Sequence, residues 1–339
     1  MSDESEARRL RERRVESGLT QAQLAARAGV SRALVSAIEA GRNLPRIDAA
    51  LALARALDTT AEQLFGGRGS EPVDAISGEP PEPGAPVRVG LVGNRLVTSV
   101  PRHGDEGWDA VDGIAGELGP DLLQRGGASV VMAGCEPGLT LLERMLRDRG
   151  TRAVSIASSN ATALAALSAG RLHAAAVHFA AGESPSFESA PLLRVHLGRW
   201  QVGLAAPHGA RRRWWESALG GRVAVIQREP GAAAQEAFLR AVRARKGDID
   251  GPRVGGHLAA SRRALESGLP AVTIEPAAAA VGAAFHPLEL HDVELWLPAE
   301  RAADPGVARL LDALSSAAFR QTLQCVGGYD LSDIGRRVA

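Results

Sequence analysis

The stretch GLTQAQLAARAGVSRALVSAIEAGRNLP, residues 18–45, decides how the chain begins to fold. Thr20 stands just before a helix-forming run with Gln23 three residues on, a pairing in which hydroxyl and amide satisfy orphan backbone N–H groups at a helix start. The helix so started carries Leu24, Ala25 and Ala28 on one face. Gly29 supplies the left-handed residue that a tight inter-helix turn needs, Val30 plugs the core, and Ser31 caps a third helix running to about Ala40. Leu34, Val35 and Ile38 turn that helix inward, while Arg32, Ala33, Ser36 and Glu39 fall on its other faces. Leu10 and Val15 mark a first helix ending at Gly18. A fourth over residues 47–57 follows Pro45, and a fifth is capped by Thr60 with Gln63. The expectation is an all-α module over residues 1–66.

This punctuation resembles the helix-turn-helix domain of the lambda-repressor/Xre-type transcription regulators: capped Thr20-Gln21, the Leu24-Ala25 pair, Gly29-Val30-Ser31 at the turn, Ile38-Glu39, and Gly41 ahead of Pro45. The resemblance covers about residues 5–66. It implies that the second helix crosses the DNA backbone and the third enters the major groove. Ser31, Arg32, Ala33 and Ser36 are then the positions facing base edges; Arg32 can hold a guanine bidentately, whereas Ala33 offers only methyl contact. Gln21, Arg42 and Asn43 are placed for phosphate contacts, which orient without reading sequence. Glu39 reads as the partner of an Arg within the module. Ten Arg against nine Asp and Glu over residues 1–67 leave it almost neutral, so one copy should bind double-stranded DNA weakly. A homodimer on a pseudo-palindromic operator, with half-sites about one helical turn apart, is the expected remedy.

Residues 67–86 are rich in Gly, Pro and acid and read as a semi-extended linker. Residues 87–127 form a connecting segment: two strands, 87–92 and 96–100, then a loop with His103 and a helical or irregular stretch. It is a candidate dimerisation strand pair or a cover on the next domain. From residue 128 to 339 short β-rich runs alternate with helical ones. Strands at 128–133, 153–157 and 174–179 are separated by helices at 138–149 and 161–170, the β-α-β-α-β order of a mostly parallel sheet. Two long β-type segments, 192–206 and 285–298, flank a second such group, with a strand expected at 223–227, another at 271–274, and helices at 231–245 and 258–267. Helices near 305–315 and 317–325 close the chain.

That order is similar to the periplasmic-binding-protein-like domain found fused to helix-turn-helix modules and to molybdopterin-biosynthesis proteins, and similar to molybdate-binding proteins. The fold class expected is therefore multidomain: an all-α helix-turn-helix module plus an α/β two-lobed periplasmic-binding-protein-like domain with the two long segments as crossovers. The resemblance implies a small-molecule effector in the cleft between lobes, with molybdate, tungstate or a molybdenum-cofactor-related compound as its class. Helix N-termini at strand-to-helix junctions favour such ligands. Three junctions fit: Cys135-Glu136-Pro137-Gly138, Ser158-Ser159-Asn160, and Arg228-Glu229-Pro230-Gly231. Cys135, Glu136, Ser158, Ser159, Asn160, Arg228, Glu229, Gln235 and His257 are the candidate ligand contacts. Relatives tend to carry small hydroxylated residues where this chain has Ala232, Ala233 and Ala234, and Glu136 with Glu229 would repel a bare anion; a ligand with donor or cationic groups is the alternative. His173 and His178 read as structural. Cys135, at a helix N-terminus, is a candidate for a lowered thiol pKa and hence for oxidant sensing or metal binding.

Over 339 residues, 39 Lys+Arg balance 39 Asp+Glu, which excludes a uniformly basic coat protein or an acidic solvating chain. The most apolar run, Ala271 to Phe285, is broken by Glu275 and Pro276, so no membrane span is expected. The charged start MSDESEARRLRERR argues against export, leaving a cytoplasmic protein as the expectation. Cys135 and Cys325 cannot build a disulfide framework. No Ser/His/Asp ordering, HExxH, phosphate-cradling Gly loop or metal-ligand spacing stands out, so no catalytic residue, metal or cofactor is expected. Two rivals stay open: a constitutive DNA-binding protein whose large domain serves assembly, and an enzyme built on the two-lobed fold.

Overall fold

The computed structural model describes residues 10–43, 45–65, 72–93, 95–101, 110–116, 119–123, 129–183, 185–187 and 191–338. The chain divides into two compact units, Met1–Glu71 and Pro72–Ala339.

In the first unit, helix α1 over residues 10–16 is followed by α2 (Gln21–Ala28), α3 (Arg32–Glu39), α4 (Ile47–Ala56) and α5 (Ala61–Phe65). The capping box at α2 is complete: Thr20 Oγ1 accepts from the Gln23 N–H at 3.2 Å, and Gln23 Oε1 accepts from the Thr20 N–H at 2.9 Å. Gly29 takes the left-handed conformation at φ 66°, and Ser31 Oγ caps α3 through the Leu34 N–H. Leu10, Leu24, Val35, Ile38, Leu53 and Leu64 form the core. Each such buried aliphatic contributes about 1.5–3 kcal/mol. The Gln63 side chain, expected to assist the α5 cap, lies outside the described residues.

The second unit holds two sheets. The smaller orders its strands β1-β3-β2-β4-β5, with β1 Val73–Asp74, β2 Pro86–Val92, β3 Arg95–Ser99, β4 Gly113–Gly116 and β5 Gly119–Leu122. Two expectations change here. Residues 67–71 of the expected linker lie outside the described residues, but Val73 pairs with Val97 and Ala75 is fully buried, so residues 72–86 fold with this sheet. The irregular stretch expected before residue 127 contains the β4–β5 pair, whose glycines hide the alternation; its loop with His103 lies outside the described residues. Ala75, Val92 and Val97 share a core with Val131, Ala133, Leu167 and Phe179, so the sheet covers the first lobe. Arg88 from β2 is buried against Glu143.

The larger sheet has the order β10-β9-β11-β8-β6-β7, with β12 (Arg337–Val338) on β9. Its parallel half is β6 (Val130–Gly134), β7 (Ala153–Ala157) and β8 (Ala174–Ala180), interleaved with α6 (Leu139–Asp148) and α7 (Asn160–Ser168). The long strands β9 (Leu192–Ala206) and β11 (Ala284–Pro298) pair antiparallel along their lengths. The first half of β9 and the second half of β11 belong to lobe one. Their other ends join β10 (Ala271–Ile274), α8 (Trp214–Leu219), α9 (Ala233–Ala244), α10 (His257–Ser267) and α11 (Glu275–Ala280) in lobe two. The sheet is thus mixed, because each crossover strand must run back against its partner. The strand expected at 223–227 reduces to bridges at Ile226 and Gln227, and α11 occupies part of the apolar run after β10. Helices α12 (Pro305–Leu314) and α13 (Ala317–Val326) come next. Among the described residues no helix is long and apolar enough to cross a membrane.

Candidate functional site

Two surfaces carry chemistry. In the first unit, Ser31, Arg32 and Ala33 are exposed at the start of α3, Ser36 is half-buried one turn on, and Arg42 and Asn43 are exposed beyond its end. Behind them Glu39 accepts from Arg14 Nε at 2.6 Å and Nη2 at 3.0 Å, and from Gln21 Nε2 at 2.9 Å. This network ties α1, α2 and α3 together, so the angle between α2 and α3 depends on it. Gln21, expected at a phosphate, also gives one amide N–H to this network, which leaves its second N–H uncommitted. Burial opposes ionisation of Glu39, but the bonds from Arg14 and Gln21 outweigh it and set its carboxyl below the ordinary 4.5. Glu39→Gln is expected to cost about 1.5–3 kcal/mol, the usual worth of hydrogen bonds to a charged group. Because the folded pKa is the lower one, this contribution is fully present above the unfolded carboxyl's value and is lost as pH falls through the folded value. Thermal melts of wild type and Glu39→Gln at neutral and acid pH check it: the wild-type advantage should narrow in acid.

In the second unit a cleft of about 520 Å³ opens between the lobes. The parallel strands deliver their C-terminal ends to it, where ligands gather in open α/β sheets. Strand β6 ends at Gly134 and passes to Cys135 and Glu136; β7 ends before Ser158; lobe two contributes Arg228, Glu229 and the Gly255-Gly256-His257 start of α10. Gly134 lies directly over the Ala176 carbonyl at φ 153°, so only glycine lets β6 approach β8 this closely at the cleft floor.

Six of the nine expected ligand residues line this space: Cys135, Glu136, Ser158, Arg228, Glu229 and His257. The other three are engaged in holding it. Ser159 caps α7 through the Thr162 N–H. Asn160 grips the backbone of β8, donating to the His178 carbonyl and accepting from the His178 N–H at 3.2 Å. Gln235 accepts from the Arg228 N–H at 2.8 Å and donates to Gln227 Oε1 at 3.1 Å. Arg228 is itself 1% exposed, with Nε and Nη2 on Glu229 and Nη1 2.6 Å from His257 Nδ1.

The cleft is rich in side-chain atoms without a partner. Glu136 Oε1 accepts from Tyr329 Oη at 2.8 Å and from the Gly138 N–H at 2.5 Å, while Oε2 has no partner; burial lifts the carboxyl to about 7. Among the described residues Ser158 Oγ, and His178 Nε2 just behind the cleft lining, are also buried without partners. Burial pushes the Cys135 thiol up to about 11, overriding the nearby Arg228 charge. That reverses the expected lowering: desolvation outweighs the helix terminus, whose Gly138 N–H is already taken by Glu136. Cys135 Sγ lies 3.1 Å from His257 Nε2, and Cys135, His178 and His257 offer donor atoms within 4.8 Å of one another. No spacing in the sequence announced this cluster, which brings together three donor side chains where no metal ligand was expected. His173, in contrast, accepts from the Val131 N–H at 2.9 Å and stays structural. The one available signal for His178 was its place as the sole polar residue of the apolar strand AAAVHFA.

Residues 10–64 match the helix-turn-helix family, and residues 142–315, 174 of the 339, match the PBP superfamily domain. The chain belongs to the PBP superfamily domain family. Its PBP domain, carrying the cleft, comes after an N-terminal helix-turn-helix domain. Among solved structures it is similar to a putative phosphate ABC transporter substrate-binding protein from Clostridium perfringens, at 9% identity over 59% of this chain and 98% of that one, TM-score 0.47. The restriction-modification controller protein C.AhdI from Aeromonas hydrophila is 36% identical over 19% of this chain and 96% of that one, TM-score 0.18. CbnR, a LysR family transcriptional regulator, is 16% identical over 54% of this chain and 67% of that one, TM-score 0.39. No curated protein matches.

Proposed function

We propose that the protein is a ligand-responsive transcription regulator: the helix-turn-helix domain reads an operator, and a small molecule in the PBP cleft sets how well it does so. The observation that carries this reading is the open cleft of about 520 Å³ lined by Glu136 and Ser158, whose Oε2 and Oγ are buried without partners among the described residues. Buried polar groups without partners are costly, and a ligand that meets them recovers that cost. A domain serving assembly alone would gain by filling the cleft with side chains. Ligand that favours one arrangement of the lobes then biases operator binding by its differential affinity. The near-neutral DNA module argues for a homodimer on a pseudo-palindromic site.

The cleft chemistry bears on the effector. Molybdate or tungstate would need N–H donors, yet Arg228, Asn160 and Gln235 already commit part of theirs to protein acceptors, and Asn160 and Gln235 do not line the cleft. The unpartnered carboxylate oxygen and imidazole nitrogen favour a ligand carrying positive charge or hydrogen-bond donors. The same geometry argues against a Cys135 nucleophile activated by His257. Arg228, always a donor, fixes His257 Nδ1 as acceptor, so Nε2 carries the proton and cannot take one from Cys135.

Thermal unfolding of the full chain tests the reading, against a panel of molybdate, tungstate, sulfate, phosphate, amino acids, pterins and divalent metal salts. A specific binder at one hundred times its Kd should add about 2.7 kcal/mol of stability, visible as a raised Tm. A flat response to the whole panel, with no co-purified ligand released on denaturation, would favour the assembly role.

A further inference from the structure

Cys135 sits in the loop after β6 and His178 in β8, both in lobe one; His257 opens α10 in lobe two. Their protonation states are set by a chain of hydrogen bonds. Glu289 Oε1 lies 2.9 Å from His291 Nε2, and its carboxyl is held below the ordinary value despite burial by the Arg240 and His291 bonds, so it is the acceptor. His291 Nε2 therefore carries hydrogen and its Nδ1 a lone pair. That lone pair, 2.9 Å from His178 Nδ1, must receive a proton from it. His178 Nε2 is left as a bare lone pair, buried and unpartnered. A carboxylate relayed to a histidine in this way orients and strengthens a metal ligand.

We propose that Cys135, His178 and His257 bind a thiophilic d10 metal ion of the zinc(II) class that pins lobe one to lobe two. The inference rests on the reading of this cleft as the effector site, and names the effector. A thiolate with two imidazoles is a donor set selective for such ions over magnesium or calcium. Around tetrahedral zinc, sulfur and nitrogen ligands stand about 3.5 Å apart. The Cys135–His257 separation of 3.1 Å and the 4.8 Å limit for all three therefore need only small side-chain adjustments. Three protein ligands leave the fourth position open to water or a further ligand from the cleft.

Loading balances simply. The Cys135 S–H proton leaves to solvent as the metal–sulfur bond forms. At His257 the proton moves from Nε2 to Nδ1, so Nε2 can bind the ion, and Arg228 gives up its contact with Nδ1 while keeping its two bonds to Glu229. One proton is released per ion. Metal and Arg228 thus compete for His257, and the lobe-two side of the cleft responds to occupancy.

Untagged full-length protein titrated with cadmium tests this, since thiolate-to-cadmium charge transfer gives an ultraviolet band that reports sulfur ligation. One band-forming equivalent per chain is expected. It should persist in Cys325→Ser, where the other thiol is removed, and vanish in Cys135→Ser. Glu289→Gln, which breaks the relay without touching a ligand, should weaken zinc and cadmium binding 10–100-fold while leaving the band at saturation. Absence of the band from wild-type protein, its loss in Cys325→Ser, or unchanged affinity in Glu289→Gln together with a band in Cys135→Ser overturns the metal site. In that event the regulator reading still stands or falls on the rest of the melting panel. A band as expected with operator affinity indifferent to zinc would keep the metal site and remove its effector role.

Discussion

Glu143→Ala is expected to destabilise the C-terminal unit by about 3–5 kcal/mol, the usual consequence of removing one partner from a buried ion pair. Glu143 sits in α6 with a side chain 9% exposed. Its Oε1 accepts from Arg88 and from Arg147 Nη2, and its Oε2 from the Ser155 N–H at 2.8 Å and hydroxyl at 2.6 Å. One carboxylate therefore joins the covering sheet, the first helix of lobe one and β7. Alanine removes the counter-charge facing a guanidinium that is 5% exposed. Against a total stability of about 5–15 kcal/mol the loss is severe. Denaturant unfolding should show a much lower midpoint, and Arg88→Met combined with Glu143→Leu should recover most of it, because an apolar pair needs no counter-charge. A change below about 1 kcal/mol in Glu143→Ala would mean that the covering sheet is not anchored through this pair.

The second large effect concerns DNA. Arg32→Ala should lower affinity for an operator selected from random duplexes by about 1–3 kcal/mol per half-site and relax the sequence preference at one base pair. Arg32 is exposed at the start of α3, between exposed Ser31 and Ala33. Arg42→Ala provides the contrast. As a phosphate contact it should weaken binding to all sequences alike and reduce the salt slope by about one. If Arg32→Ala weakens all duplexes equally, Arg32 is a backbone contact and the register assigned to α3 is wrong.

Much of the fold is legible in the residues themselves. The capped turn from Thr20 to Ser31 is specified by local rules, so its reading needs no tertiary information. The expectation of Glu39 as the partner of an Arg within the module is met by its two bonds from Arg14. The junction at Cys135 is legible as a strand end, while the one at Arg228 follows only isolated bridges at Ile226 and Gln227; both line the cleft. Two kinds of feature are hidden. Short glycine-bearing strands such as β4 carry almost no periodicity, and β1 hides inside a Pro- and Gly-rich stretch because pairing with β3, not its own composition, makes it a strand. The cleft cluster is hidden because Cys135 and His257 are 122 residues apart and meet only once the lobes are built. The thiol's proton affinity is misjudged from sequence for a related reason: helix position is visible there, burial at that position is not.

Control of operator binding by occupancy of the cleft is tested by one titration. The affinity of the full chain for its selected operator is measured by fluorescence anisotropy, with and without a saturating cleft ligand; zinc is the first to try. A change of about fivefold to 150-fold, the usual range of coupling between sites, is expected for wild-type protein and should be lost in Cys135→Ser. Identical operator affinity with the cleft shown to be filled and empty would mean that the cleft does not govern DNA binding.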